Sequence, residues 1–172
     1  DDFNKNRSPQ DLLFLSRNFV NCLIRFNANW DFNNSLHHTR HGISPDSLEK
    51  IILDWSKHIQ GSEFIADDYT VTTETAKTGD LIYLDPPYFH TKGRYYGTID
   101  FDAFLSYLEK LNSKGIKYIL SFDGIRGEND FTVELPKELY KRHEFIPSGN
   151  SSFKKVMDKE SVQVLESLYL NW

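Results

Sequence analysis

Apolar positions recur at helical spacing in three stretches of the chain and at strand spacing in five others. Leu12, Leu13, Leu15, Phe19, Leu23 and Phe26 follow a helical period, which predicts a helix over 9–26. Ser8 supplies an N-cap and Pro9 occupies the first helical position. From Asn27 to Ile43 the period is lost among Asn, His, Trp and Gly, and a loop-rich excursion is expected. Ser44-Pro45 opens a second helix to about His58, with Leu48, Ile51, Ile52 and Trp55 on one face. Glu63–Ala66 is a short strand candidate, and Asp80–Leu84 a stronger one that reads as a buried β run. Asp100–Ser113 predicts a helix with Phe101, Phe104, Leu105, Leu108 and Leu111 inward, and Lys117–Phe122 the next strand. Strand, helix, strand in that order implies a parallel pair. Two later β runs, His143–Ile146 and Val162–Leu170, are expected to close one edge as a hairpin, so the fold class is α/β.

Composition narrows the class. With 172 residues the chain can bury one ordinary core. No apolar run approaches the roughly 20 residues of a membrane span, and no signal peptide is visible. The opening Asp1-Asp2-Phe3-Asn4-Lys5 reads as if cut from something longer. The single Cys22 precludes an internal disulfide and fits a reducing cytoplasm. A net charge of −5 argues mildly against nucleic-acid binding, although Arg25, Arg40, Lys92 and Arg94 suit a shared basic face. His37, His38 and His41 lack a carboxylate at ligand spacing, so solvated histidines are expected and no metal site.

Asp85-Pro86-Pro87-Tyr88 is the motif that carries chemistry. It falls where a strand stops, and open α/β sheets place ligands at the carboxyl ends of strands. Two prolines fix two φ angles and remove two N–H donors, so the backbone there is stiff and only accepts. Asp85 adds a carboxylate and Tyr88 a flat ring with a polar tip. Together they form a receptor for a planar group bearing an NH₂. Two acceptors grip the amino hydrogens and the ring stacks. An aromatic amine held this way localises its lone pair and can attack a methyl sulfonium directly. The bland alternative is a proline-stiffened turn with Tyr88 as packing.

The run Gly79–Tyr88 resembles the catalytic strand and loop of the Dam-like adenine-N6 DNA methyltransferases. The likeness extends over essentially the whole chain. It includes Phe3-Asn4-Lys5, Leu13-Phe14-Leu15 and Asn21-Cys22-Leu23-Ile24-Arg25-Phe26-Asn27, then Asp68-Tyr69, Tyr118–Asp123 and the closing Glu166–Asn171. It implies a partial Rossmann-like sheet over 61–172 and a helical target-recognition subdomain over 1–60. The donor implied is S-adenosylmethionine and the partner double-stranded DNA, in a cytoplasmic protein of a restriction-modification or related system. Asp85, Pro86, Pro87 and Tyr88 are then the catalytic residues: Asp85 and the Pro86 carbonyl hold the target amino group, and Tyr88 stacks on a flipped adenine. Asp68, Tyr69 and Asp85 border the donor. Asn21, Arg25 and Asn27 face DNA, an Arg fork suiting guanine and Asn adenine. Lys92, Arg94, Tyr95 and Tyr96 clamp the strand beside the extruded base.

The sequence departs from that pattern twice. The family's Phe-x-Gly-x-Gly loop has no counterpart, and Gly93-Arg94-Tyr95-Tyr96-Gly97 does not follow a strand. The first strands of the sheet are therefore expected upstream of Asp1, and this chain alone is expected to bind the donor weakly or not at all. Phe32-Asn33-Asn34-Ser35-Leu36 stands where family members carry Asn-Val-Pro-Phe-Gly. Cytosine-C5 chemistry is rejected because Cys22 follows Asn21 inside a predicted helix, away from any Pro-Cys context. A non-catalytic DNA-binding remnant, or a methyltransferase of RNA or protein, remains the alternative.

Overall fold

The computed structural model describes residues 2–18, 24–35, 37, 39, 42–87, 99–150 and 163–172. The chain divides into two compact units, Asp1–Phe64 and Ile65–Trp172.

In the second unit a mixed α/β arrangement surrounds an open sheet. Its strands are β1 (Leu81–Leu84), β2 (Lys117–Arg126), β3 (Asn129–Asp130), β4 (Arg142–Asn150) and β5 (Gln163–Leu170). The order is β1-β2-β5-β4, with β3 paired to β2. β1 and β2 run parallel, Leu81 opposite Lys117 through Leu84 opposite Leu120, as the strand–helix–strand order requires. β5 is antiparallel to both β2 and β4, so β4 forms the edge opposite β1. The expected edge hairpin strands are thus observed, longer at the first strand than the β run suggested.

The crossover helix is α5 (Phe101–Ser113). Asp100 caps it by accepting the Ala103 N–H at 3.1 Å, satisfying one of the donors that a helix start leaves unpaired. Its inward Phe104, Tyr107, Leu108 and Leu111 are buried against Leu84, Tyr118, Leu120, Phe122 and Tyr169. Each large side chain removed from water in this way contributes about 1.5–3 kcal/mol.

The Asp80–Leu84 run is not buried throughout. Ile82 joins the core and Leu84 is sealed in it, whereas Leu81 and Tyr83 are 57% and 60% exposed. β1 pairs only with β2 among the described residues, and side chains alternate between faces of a strand, so only the α5-facing pair is covered. Glu63–Ala66 forms no strand: it has no pairing partner among the described residues and its side chains are exposed.

The first unit contains α1 (Asp2–Asn6), α2 (Pro9–Asn18) and α3 (Pro45–His58); α4 (Tyr69–Thr72) belongs to the second. Ser8 and Ser44 cap α2 and α3 as expected, each accepting an N–H three residues on at 3.3 Å. The helix expected over 9–26 does not reach 26. Residues 24 and 25 are irregular, and Phe26 forms an antiparallel bridge with Phe32. Local polar chemistry outcompetes the helical period there. Asn27 Oδ1 accepts the N–H groups of Asn29 and Asp31, each at 2.9 Å, an Asx-type closure that turns the chain. Phe32 then meets Phe26 and Phe3 edge-on, with centroids 6.0 and 5.7 Å apart. Among the described residues no helix is long and apolar enough to cross a membrane.

Candidate active site

The site is built at the carboxyl end of β1. Leu84 is the last strand residue and is buried; Asp85 follows it and is exposed. The parallel register sets Leu84 opposite Leu120, which brings the next residue of β2, Ser121, beside Asp85. Ser121 is 1% exposed. Its hydroxyl donates to Asp85 Oδ1 at 2.9 Å and lies 3.3 Å from the Leu84 carbonyl oxygen. Asp85 Oδ2 takes no hydrogen bond from the described residues. Among the described residues the carboxylate is thus held by one oxygen. Pro86 is half-buried and Pro87 exposed, and neither carries an N–H, so these two residues offer backbone acceptors and no backbone donor.

Two residues further along β2, Asp123 is buried and binds the Arg126 guanidinium through Oδ1, while Oδ2 has no partner among the described residues. A β-bulge lies here: Phe122 faces Ser167 and Ile125 faces Leu165, so Asp123 and Gly124 together oppose Glu166. Gly124 is forced by the close approach. A Cβ on it would lie 2.2 Å from the Leu165 carbonyl oxygen.

Asp68 caps α4. The Thr70 N–H and hydroxyl both donate to its Oδ1, at 2.9 and 2.5 Å, and hold its carboxyl below the usual range, the hydroxyl contributing most. The neighbouring Tyr69 is half-buried, with its ring edge-on to Phe104 and Tyr107 at 5.8 and 4.9 Å. Burial raises its phenol pKa.

In the first unit, Arg25 is exposed, and its Nε and Nη2 both donate to the Asn33 carbonyl, at 3.2 and 3.1 Å. Asn27 closes the loop already described. His37 Nδ1 lies 3.3 Å from both the Thr39 amide and the Thr39 hydroxyl. Tyr88, Asn21, Lys92, Arg94, Tyr95 and Tyr96 lie outside the described residues, as do Arg40, Cys22, His38 and His41. The structure therefore gathers Asp85, Pro86 and Pro87 with Ser121, and sets the exposed Asp68 beside Tyr69, whose ring packs on the core of the same unit. Ser121 had no role in the sequence pattern. The signal was available: in a parallel pair, the residue after a strand's last position lies beside the residue one further along its neighbour.

An aspartate and two prolines ending the first strand of a mixed α/β unit agree with a family-wide match. The model of the D12 class N6 adenine-specific DNA methyltransferases covers residues 1–150, and the chain belongs to that family. Among curated relatives, the type II methyltransferase M.FokI of Planomicrobium okeanokoites is 29% identical over 99% of this chain and 28% of its own length. The modification methylase StsI of Streptococcus sanguinis is 30% identical over 69% of this chain and 20% of its own. The retron Ec67 DNA adenine methylase of Escherichia coli is 30% identical over 81% of this chain and 47% of its own. The chain thus spans between a fifth and a half of the length of these relatives.

Proposed function

We propose that this chain carries the target-amine site of a DNA adenine-N6 methyltransferase, within a protein of the kind its longer relatives represent. The observation that carries this is the Asp85 carboxylate, tied by one oxygen to a buried serine, with no bond to the other among the described residues, at the carboxyl end of a parallel strand. Asp85 Oδ2 and the Pro86 carbonyl accept the two amino hydrogens of an adenine flipped from duplex DNA. Asp85 acts as an ionised acceptor and not as a general base. The amine nitrogen becomes acidic only once methylated, so the carboxylate's task is to stabilise positive charge as it develops. Tyr88 stacks on the base.

The methyl donor on this reading is S-adenosylmethionine. Both Thr70 bonds fall on Asp68 Oδ1, and Oδ2 takes none from the described residues, so Asp68 retains an acceptor suited to a ribose hydroxyl. Tyr69 and Asp85 complete that side. The amino-acid part of the donor has no glycine-rich cradle in this sequence. When bound, the donor supplies an electrophilic methyl group on a sulfonium. The sheet of the second unit is then the Rossmann-like methyltransferase sheet in part. Residues 1–60 are the target-recognition subdomain, with Asn21, Arg25 and Asn27 toward DNA and Lys92, Arg94, Tyr95 and Tyr96 clamping the strand.

Single-turnover methyl transfer to duplex DNA by the full-length gene product tests the site. Asp85→Ala is expected to lower the rate by at least about 100-fold, the usual loss for one such electrostatic contact, with DNA affinity retained. Near-wild-type transfer by that variant would sink the mechanism. Tyr88→Phe keeps the ring and should be mild where Tyr88→Ala is severe.

A further inference from the structure

We propose that Ser121 is a positioning residue for methyl transfer: its hydroxyl anchors Asp85 Oδ1 and so aims Oδ2 at the target amine. The proposal rests on the role given to Asp85 above.

Asp85 is exposed and lies just past the end of its strand, and the side-chain bond given for its carboxylate among the described residues comes from β2. The restraint comes from the neighbour. Ser121 sits inside β2, one residue past its last pair with β1 and opposite Leu168 of β5, and its side chain is sealed from solvent. A buried hydroxyl needs a hydrogen-bond partner. Two acceptors are in reach, the Leu84 carbonyl at 3.3 Å and Asp85 Oδ1 at 2.9 Å. A hydroxyl has one proton to give, and the shorter bond to a charged acceptor is the stronger. The donor is therefore rigid, dry and committed to the carboxylate.

This arrangement divides the two oxygens of Asp85 between two tasks. Oδ1 is the hinge pin, and Oδ2 is left to receive a hydrogen from the substrate. A carboxylate without the pin would sample orientations in which neither oxygen faces the amine. A reacting group misplaced by about an ångström can lose around 100-fold in rate.

A double-mutant cycle in the full-length protein decides the matter. Ser121→Ala is expected to slow single-turnover methyl transfer by about 10- to 100-fold while leaving DNA affinity and thermal midpoint near wild type. In an Asp85→Ala background the same substitution should cost little further, because the group it acts through is gone. Ser121→Cys, of similar size and with a weak donor, should fall between Ser and Ala. Equal losses in both backgrounds would mean that Ser121 only supports the strand, and would overturn the proposal. A wild-type rate for Ser121→Ala beside a crippled Asp85→Ala would overturn it too, with the role of Asp85 standing. If Asp85→Ala is itself near wild type, the role of Asp85 falls and the proposal falls with it. Should Ser121→Ala fail to fold, the cycle is run with Ser121→Cys, and the same comparison between backgrounds decides.

Discussion

The two units hide their apolar side chains very differently. In Ile65–Trp172, α5 and the sheet seal a cluster of rings and leucines that includes Phe104, Leu108, Tyr118 and Phe122. In Asp1–Phe64, Phe3 is the one buried hydrophobe among the described residues, while Phe14, Ile52, Leu53 and Trp55 are each about half exposed or more. α3 has a clear apolar face and a good cap, yet none of its residues is buried. Periodicity therefore announces that an element has a face to cover; it does not say that the face is covered. The second unit is organised around its own interior, whereas the first is held by its aromatic trio and by polar closures such as Asn27 and Asn4. Asn4 bonds both the amide and the carbonyl of Phe32.

The sharpest way to break this contrast is to truncate one ring in each unit. Phe104→Ala should destabilise the protein by about 3–5 kcal/mol through the cavity it leaves. Phe14→Ala, on an exposed side chain, should stay within about 0.5 kcal/mol of wild type. Chemical denaturation of both variants measures the difference, and a large loss at Phe14 would show that its ring is covered in the full-length protein.

Arg25 tests the first unit on function. Arg25→Ala should weaken discrimination between DNA sites by about 1–3 kcal/mol while leaving the folding midpoint almost unmoved. Unchanged site preference and affinity would reduce Arg25 to the loop brace that its two bonds to Asn33 already make it.

A smaller effect compares caps across the units. Asp100→Ala and Ser44→Ala each remove a helix N-cap and should each cost about 1 kcal/mol. Global denaturation should register the Asp100 change, on a helix that carries the core. The Ser44 change should appear chiefly as faster amide exchange at the start of α3, because that helix contributes no buried residue.

At neutral pH the last contrast is silent. Burial pushes the Tyr118 and Tyr169 phenols up to about 12 from an ordinary 10.0. The folded state keeps them protonated where the unfolded chain ionises. Their contribution is thus whole below pH 10 and is lost as pH rises toward 12. Tyrosinate absorbance followed alongside unfolding should show a late-ionising class that appears with loss of the second unit's structure. A single ordinary titration near 10.0 would refute that sealing.

These contrasts also mark what was legible in the sequence. α3, α5 with its inward face, and the parallel β1–β2 pair followed from period and element order, because each depends on its own residues and a short crossover. The end of α2 did not, because the pairing of Phe26 with Phe32 through Asn27 is invisible to a helical period. Glu63–Ala66 has strand composition but no strand to pair with among the described residues. The half-exposure of β1 could not be read either, since a continuous apolar run says nothing of which neighbours are present. At the site, Asp85 and the prolines were conspicuous by type. Ser121 was not, since its importance comes from register across the sheet and not from anything unusual about a serine.

Gly124 carries a consequence for anyone mapping this protein by saturation mutagenesis. Scored by methylation in cells, the position should be as intolerant as Asp85, because any side chain would press on the Leu165 carbonyl at 2.2 Å. An activity screen would then rank a residue that has no side chain among the most important in the chain. Scored instead by abundance, the two positions should separate: Gly124 variants should vanish from the soluble pool, and Asp85 variants should accumulate as intact, silent protein.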